Sequence, residues 1–131
     1  MEKIKKILTG KALTVLLIIL FLPSVGFSEV RKTYYESGEL KSEITFKKDK
    51  QEGLVKTYYE IGVLLSEVTF KKGKLEGPSK VYYEGGELKS EITFKNGKQE
   101  GPFKRYYRNG KLASEGTYKN GRKEGRVKKH Y

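Results

Sequence analysis

The chain has 131 residues, with 28 Lys and Arg against 16 Asp and Glu, one His and no Cys, for a net charge of +12. That length holds one domain. The lack of Cys excludes disulfides, thiolate metal sites and cysteine nucleophiles, so stability has to come from pairing and packing alone.

The first segment does not belong to the domain. Lys3, Lys5, Lys6 and Lys11 stand against Glu2 alone, and an uncharged, mostly apolar run follows from Ala12 to Phe27. Gly26 and Ser28 then supply small residues where a signal peptidase needs them. This basic, apolar, small-residue order is that of a secretory signal. The strongly apolar stretch Ala12–Leu22 is shorter than the roughly 20 residues of a membrane-spanning helix. Residues 1–28 are therefore expected to form a signal helix cleaved near Ser28, leaving 29–131 as the mature domain in the periplasm, envelope or medium. Without residues 1–28, 24 basic and 15 acidic residues remain, a net charge of +9. Such a charge attracts anionic surfaces, which outside the cytoplasm are lipid head groups or wall polymers; nucleic acid is not an expected partner.

From residue 29 onward one period governs the chain. Tyr34-Tyr35 returns as Tyr58-Tyr59, Tyr82-Tyr83 and Tyr106-Tyr107, always 24 residues apart, with His130-Tyr131 in the fifth slot. Gly38, Gly62, Gly86 and Gly110 keep that interval, as do the Glu-Gly pairs at 52–53, 76–77, 100–101 and 124–125. A fixed period of this length marks a repeat array. Each unit reads as two strands. Leu88 to Phe94 alternates Leu, Ser, Ile, Phe with Lys, Glu, Thr, the period of a half-buried strand. Val81-Tyr82-Tyr83 is short, β-branched and aromatic, between turn residues. The predicted fold is all-β: an antiparallel meander of about nine strands, from about four hairpin repeats plus a terminal strand, in one extended twisted sheet.

One set of turns centres on Gly38, Gly62, Gly86 and Gly110. Ile61 resists positive φ, so a four-residue loop with only the Gly left-handed is expected. The other set centres on Asp49, Gly73, Gly97 and Gly121, where Asp tolerates the same conformation. Setting Tyr59 opposite Leu64 also sets Lys56 opposite Glu67, and the same offset pairs Lys32 with Glu43, Lys80 with Glu91 and Lys104 with Glu115. Each such cross-strand pair contributes about 0.2–1 kcal/mol. A one-residue slip would turn the apolar set to the wrong face.

Two faces follow. Face one, the packing or partner face, carries Tyr59, Tyr83, Leu64, Leu88, Phe70 and Phe94 with their counterparts in the other units. Face two, a candidate binding face, carries Tyr34, Tyr58, Tyr82 and Tyr106 with Lys32, Lys56, Lys80 and Lys104. A single sheet of this width has no second layer to cover face one.

The unit Tyr82–Pro102, with close copies over nearly all of 29–131, resembles the bacterial variant of the MORN repeat. Chains of this kind are often labelled YwqK-type antitoxins. The resemblance implies a β-hairpin repeat sheet with protein-binding, self-associating or phospholipid-binding roles, and no catalytic residues. The residues agree. His130 sits in a Tyr slot at the end of the chain, and Glu43, Glu67, Glu91 and Glu115 each have a Lys opposite. Glu52, Glu76, Glu100 and Glu124 stand isolated among Lys and Gly rather than in a calcium-binding cluster. No enzymatic activity, cofactor or metal is expected. The leading expectation is a protein-binding or scaffold module, or self-association, in the cell envelope. The alternative is an anionic-surface binder acting through face two.

Overall fold

A computed structural model of the chain describes Val15–Ile18 and residues 28–131. Twelve strands form one sheet: β1 (Val15–Ile18), β2 (Ser28–Tyr34), β3 (Leu40–Lys47), β4 (Lys50–Gln51), β5 (Gly53–Tyr58), β6 (Leu64–Lys71), β7 (Lys74–Leu75), β8 (Gly77–Tyr82), β9 (Leu88–Lys95), β10 (Lys98–Tyr106), β11 (Leu112–Lys119) and β12 (Arg122–Lys129). They lie in chain order, every strand antiparallel to its neighbour, with β4 on β3 and β7 on β6 as short outliers of β5 and β8. This is the expected meander, and no helix occurs among the described residues. The signal helix falls outside those residues except at β1, which is a strand paired with β2, Val15 opposite Thr33 and Ile18 opposite Val30. An open β2 edge presents a row of N–H and C=O groups, and Val-Leu-Leu-Ile has the extended preference to pair with it.

The register follows the charges. Lys32, Lys56, Lys80 and Lys104 are the backbone partners of Glu43, Glu67, Glu91 and Glu115. At the tyrosines it departs from expectation: after Thr57↔Ser66 the ladder shifts, so that Tyr58, not Tyr59, is opposite Leu64. The turn causes this. Tyr59 N–H donates to Val63 O at 2.8 Å and Gly62 N–H to Tyr59 O at 2.9 Å, enclosing three loop residues rather than four. Gly62 takes φ +85° while Ile61 keeps φ below zero. A turn followed by a left-handed Gly is the three-residue hairpin loop that brings its own bulge.

The second set of turns is tighter. Lys48 and Asp49, Lys72 and Gly73, Asn96 and Gly97, Asn120 and Gly121 all have both residues at positive φ. These are two-residue loops whose twist matches that of the flanking strands. Asp49, Gly73, Gly97 and Gly121 take the expected left-handed conformation, and Lys48 at φ 50° and Lys72 at φ 51° show the loop imposing it on the preceding residue too.

The interior is thin. Among the described residues the buried apolar side chains are Val55, Phe103 and Tyr118, with Phe103 1% exposed. One cross-strand column explains the choice of residues: Val55 faces Val68, Ser79 faces Ile92, and Phe103 faces Gly116. Within the hairpins valine meets valine, the small Ser79 meets Ile92, and the large Phe103 meets a glycine, with Ile92 on its other flank. A Cβ on Gly116 would meet Phe103 Cε1 at 2.7 Å, so the ring rests on the glycine backbone. Tyr118 closes it from the side, ring centroids 4.9 Å apart. In the first unit the column holds Arg31, whose guanidinium lies 4.1 Å over Phe46 and donates to both oxygens of Glu29 at 2.8 and 3.1 Å.

Candidate binding faces

On face two, alternation along each strand puts Lys and Glu side chains side by side with a tyrosine from the neighbouring hairpin. Lys32 Nζ lies 2.6 Å from Glu43, Lys56 3.8 Å from Glu67, and Lys80 3.7 Å from Glu91. Tyr58 O–H donates to Glu43 at 3.4 Å and Tyr82 O–H to Glu67 at 3.1 Å. The hydrogen bond from Lys32 holds the Glu43 carboxyl below its ordinary range, and the same bond raises Lys32. Burial, reinforced by the neighbouring carboxylates, pushes the Tyr58 and Tyr82 phenols up. The fourth pair does not form. Lys104 makes no ion pair among the described residues; Glu115 instead has His130, just past β12, beside it, Nε2 3.6 Å from Oε1. Tyr106 is half-buried and Lys104 exposed at this end, while Tyr34, opposite Leu40, is half-buried at the other. Three of the four candidate lysines thus have their charge answered within the sheet.

On face one, Leu64, Phe70, Leu88 and Phe94 are all half-buried, as are Val68 and Ile92 between them. Among the described residues their coverage comes from neighbouring strands alone. Tyr59 and Tyr83 have a further task that residue type did not reveal. Tyr59 O–H donates to Tyr82 O, and Tyr83 O–H to Tyr106 O, each at 2.8 Å. Tyr35 does the same to Tyr58 O at 2.6 Å and Tyr107 to His130 O at 2.9 Å. Each second tyrosine clamps its own repeat to the next.

A second inter-repeat tie also escaped the reading of residue types. Glu52, Glu76 and Glu100 accept the backbone N–H of Lys72, Asn96 and Asn120 at 2.7, 2.8 and 2.6 Å. Beside them Gly73, Gly97 and Gly121 donate N–H to Gln51, Leu75 and Gln99 O at 2.9 Å. Each Glu-Gly pair forms a bulge that aims its carboxylate at the following tight turn. That accounts for acids with no side-chain partner type in sight. Among the described residues no three His, Asp or Glu gather as a metal site.

The sheet resembles two solved structures. TarM matches with a TM-score of 0.49 and 10% identity over 94% of this chain and 22% of that one. A variant of S. aureus TarM in complex with fondaparinux, alpha-GlcNAc-glycerol and UDP matches with a TM-score of 0.50 and 10% identity over 93% and 22%. This chain therefore spans about a fifth of the length of either, and the likeness concerns the fold alone. No curated protein matches the chain. The family model for the MORN repeat variant matches residues 30–48, 51–72, 75–96 and 99–120, one match per hairpin unit. With these four matches covering more than half of its length, the chain belongs to the MORN repeat variant family.

Proposed function

We propose that the chain is a binding module exported to the cell envelope, where face one of the sheet docks a partner protein. Membership of the family supports a repeat-protein binding module in general, of a kind that is not usually enzymatic. One observation carries the choice of face. Leu64, Val68, Phe70, Leu88, Ile92 and Phe94 form an apolar strip that stays half-buried, with no second layer over it among the described residues. Contiguous apolar surface of this kind marks an interaction site. On face two the ion pairs Lys32–Glu43, Lys56–Glu67 and Lys80–Glu91 neutralise charge that an anionic-surface binder would need free. The antitoxin label attached to such chains fits this reading where the partner is a toxin met outside the cytoplasm.

The test is capture from native envelope by the tagged chain, with Phe94→Ala as its control. Phe94→Ala should weaken capture while leaving thermal unfolding of the isolated chain little changed. Capture in 1 M salt should persist, because the Debye length there is only about 3 Å. Capture that is abolished by salt and indifferent to Phe94 would transfer the function to the charged face.

A further inference from the structure

The repeats act as controls for one another, and at the seam between the third and fourth units the pattern breaks in one direction. Thr33 and Thr57 bond Ser42 and Ser66 through their hydroxyls at 2.6 Å on face one. The corresponding place in the fourth unit is Arg105, opposite both Ser90 and Ser114. Glu36, Glu60 and Glu84 follow the tyrosine pairs of the first three units; Arg108 follows the fourth. Two substitutions along the array therefore add two arginines at this seam, Arg105 over Phe103 and Arg108 over Tyr83, where Lys89 also lies.

Arg105 and Lys89 line a cleft of about 380 Å³ together with Tyr83, Ser90, Tyr107 and Ser114, and Arg108 stands against its Tyr83 wall. Arg108 stands 5.1 Å and Lys89 5.4 Å over the Tyr83 ring, and Arg105 5.7 Å over Phe103. Among the described residues none of the three makes an ion pair, and neither Ser90 nor Ser114 makes a side-chain hydrogen bond. The hydroxyls of Tyr83 and Tyr107 are committed to the inter-repeat clamp, which leaves their rings as the walls, with Tyr107 43% exposed.

The geometry points to a binding site for a phosphorylated monosaccharide at this seam, at the border of the apolar strip and resting on its own observations rather than on the partner proposed there. Two cations in the lining, Arg105 and Lys89, with Arg108 at the Tyr83 wall exceed what one carboxylate neutralises. A phosphate brings close to two charges and three acceptor oxygens, and arginine forks match it in pairs. The serine hydroxyls add neutral donors. The cleft volume falls in the lower part of the roughly 300–1,000 Å³ of small-molecule sites, so it has room beyond the phosphate. There the exposed face of Tyr107 takes the apolar face of a sugar ring, as an aromatic body with its polar tip already engaged.

The chain's own repeats supply the test. Arg105→Thr with Arg108→Glu restores the residue types of the first two units, so the sheet should fold unchanged. Calorimetric titration of the full chain with glucose 1-phosphate should give saturable binding, weakened at least tenfold in this double variant. Inorganic phosphate should bind several-fold more weakly, and glucose should give no signal. A charge-matched control, Lys47→Thr with Lys71→Glu at exposed hairpin ends, should bind like the parent. Absence of saturable binding by the parent, or equal weakening by the control, overturns the site. Inorganic phosphate binding as tightly as the sugar phosphate overturns the role given to the sugar and to Tyr107.

Discussion

Replacing Gly116 by Ile, alone and together with Phe103→Ser, isolates the contact that gives this sheet what interior it has. The single change puts a Cβ within 2.7 Å of Phe103 Cε1 and 2.9 Å of Cζ, with Val127 3.5 Å away on another side. Replacing a strand glycine gains about 0.5–1 kcal/mol by reducing the freedom of the unfolded chain. Overpacking a closed site costs about 1–3 kcal/mol. The ring, 1% exposed and held against Tyr118 at a centroid distance of 4.9 Å, has little room to yield, so the clash wins. Phe103→Ser alone should cost about 3–5 kcal/mol, in line with large-to-small changes of buried aromatics. The double variant recreates the pair found one unit earlier, Ser79 opposite Ile92. It should therefore be more stable than the two separate losses predict, with a coupling of about 1–3 kcal/mol in the double-mutant cycle. Urea unfolding of the four proteins measures this. Strict additivity would mean that the ring and the glycine are not in contact, and that the size complementarity of the column is coincidence.

Tyr83→Phe should remove the bond to Tyr106 O and cost about 1 kcal/mol, with hydrogen exchange quickening at the seam of the third and fourth units; unchanged exchange would deny the clamp. Lys80→Glu should destabilise by about 0.5 kcal/mol and regain part of this when Glu91→Lys is added, because the pair is exposed enough to be weak. Glu43 sits below its ordinary range because Lys32 donates to it, so its contribution is complete above the unfolded carboxylate value of about 4.3 and disappears as pH falls through the lowered folded value. Carbon-detected NMR should show Glu43 titrating below the ordinary glutamate range, and Lys32→Ala should move it most of the way back. Mass spectrometry of envelope-derived protein should place the N-terminus near Glu29; an intact Met1 would count against cleavage.

Much of the fold was legible because the repeat registers its own evidence several times over. The Lys–Glu offset, tested in four copies, fixed the strand pairing, and alternation in Leu88–Phe94 fixed the faces. The loop at Ile61 was legible in its conformation but not its length, since one left-handed Gly suits both a three-residue loop with a bulge and a longer one. Attention to constant columns hid Phe103, which stands in a column that otherwise reads Arg31, Val55 and Ser79. Its signal lay across the sheet, where Gly116 interrupts Ile44, Val68 and Ile92. Glu52, Glu76 and Glu100 looked solitary because their partners are backbone N–H groups 20 residues ahead, which no residue type discloses. The two binding faces could be drawn from the sequence, but not which cations would be answered within the sheet. That depends on lateral neighbours such as His130, which the pairing of single hairpins does not contain.

The ties between repeats also make the number of units an adjustable quantity. The tyrosine clamp joins a residue to one 23 positions ahead, and the carboxylate reaches 20 ahead. Both spans fall short of the 24-residue period, so neither reaches past the adjoining unit. Excising residues 55–78 would rejoin Leu54 to Ser79 and let Tyr35 meet Tyr82 as it now meets Tyr58. Copying that stretch would insert a unit just as smoothly. Length can therefore drift by whole units through slippage in the gene without any junction having to be repaired. Selection can then set the span of the sheet against whatever it measures, by counting rather than by redesign.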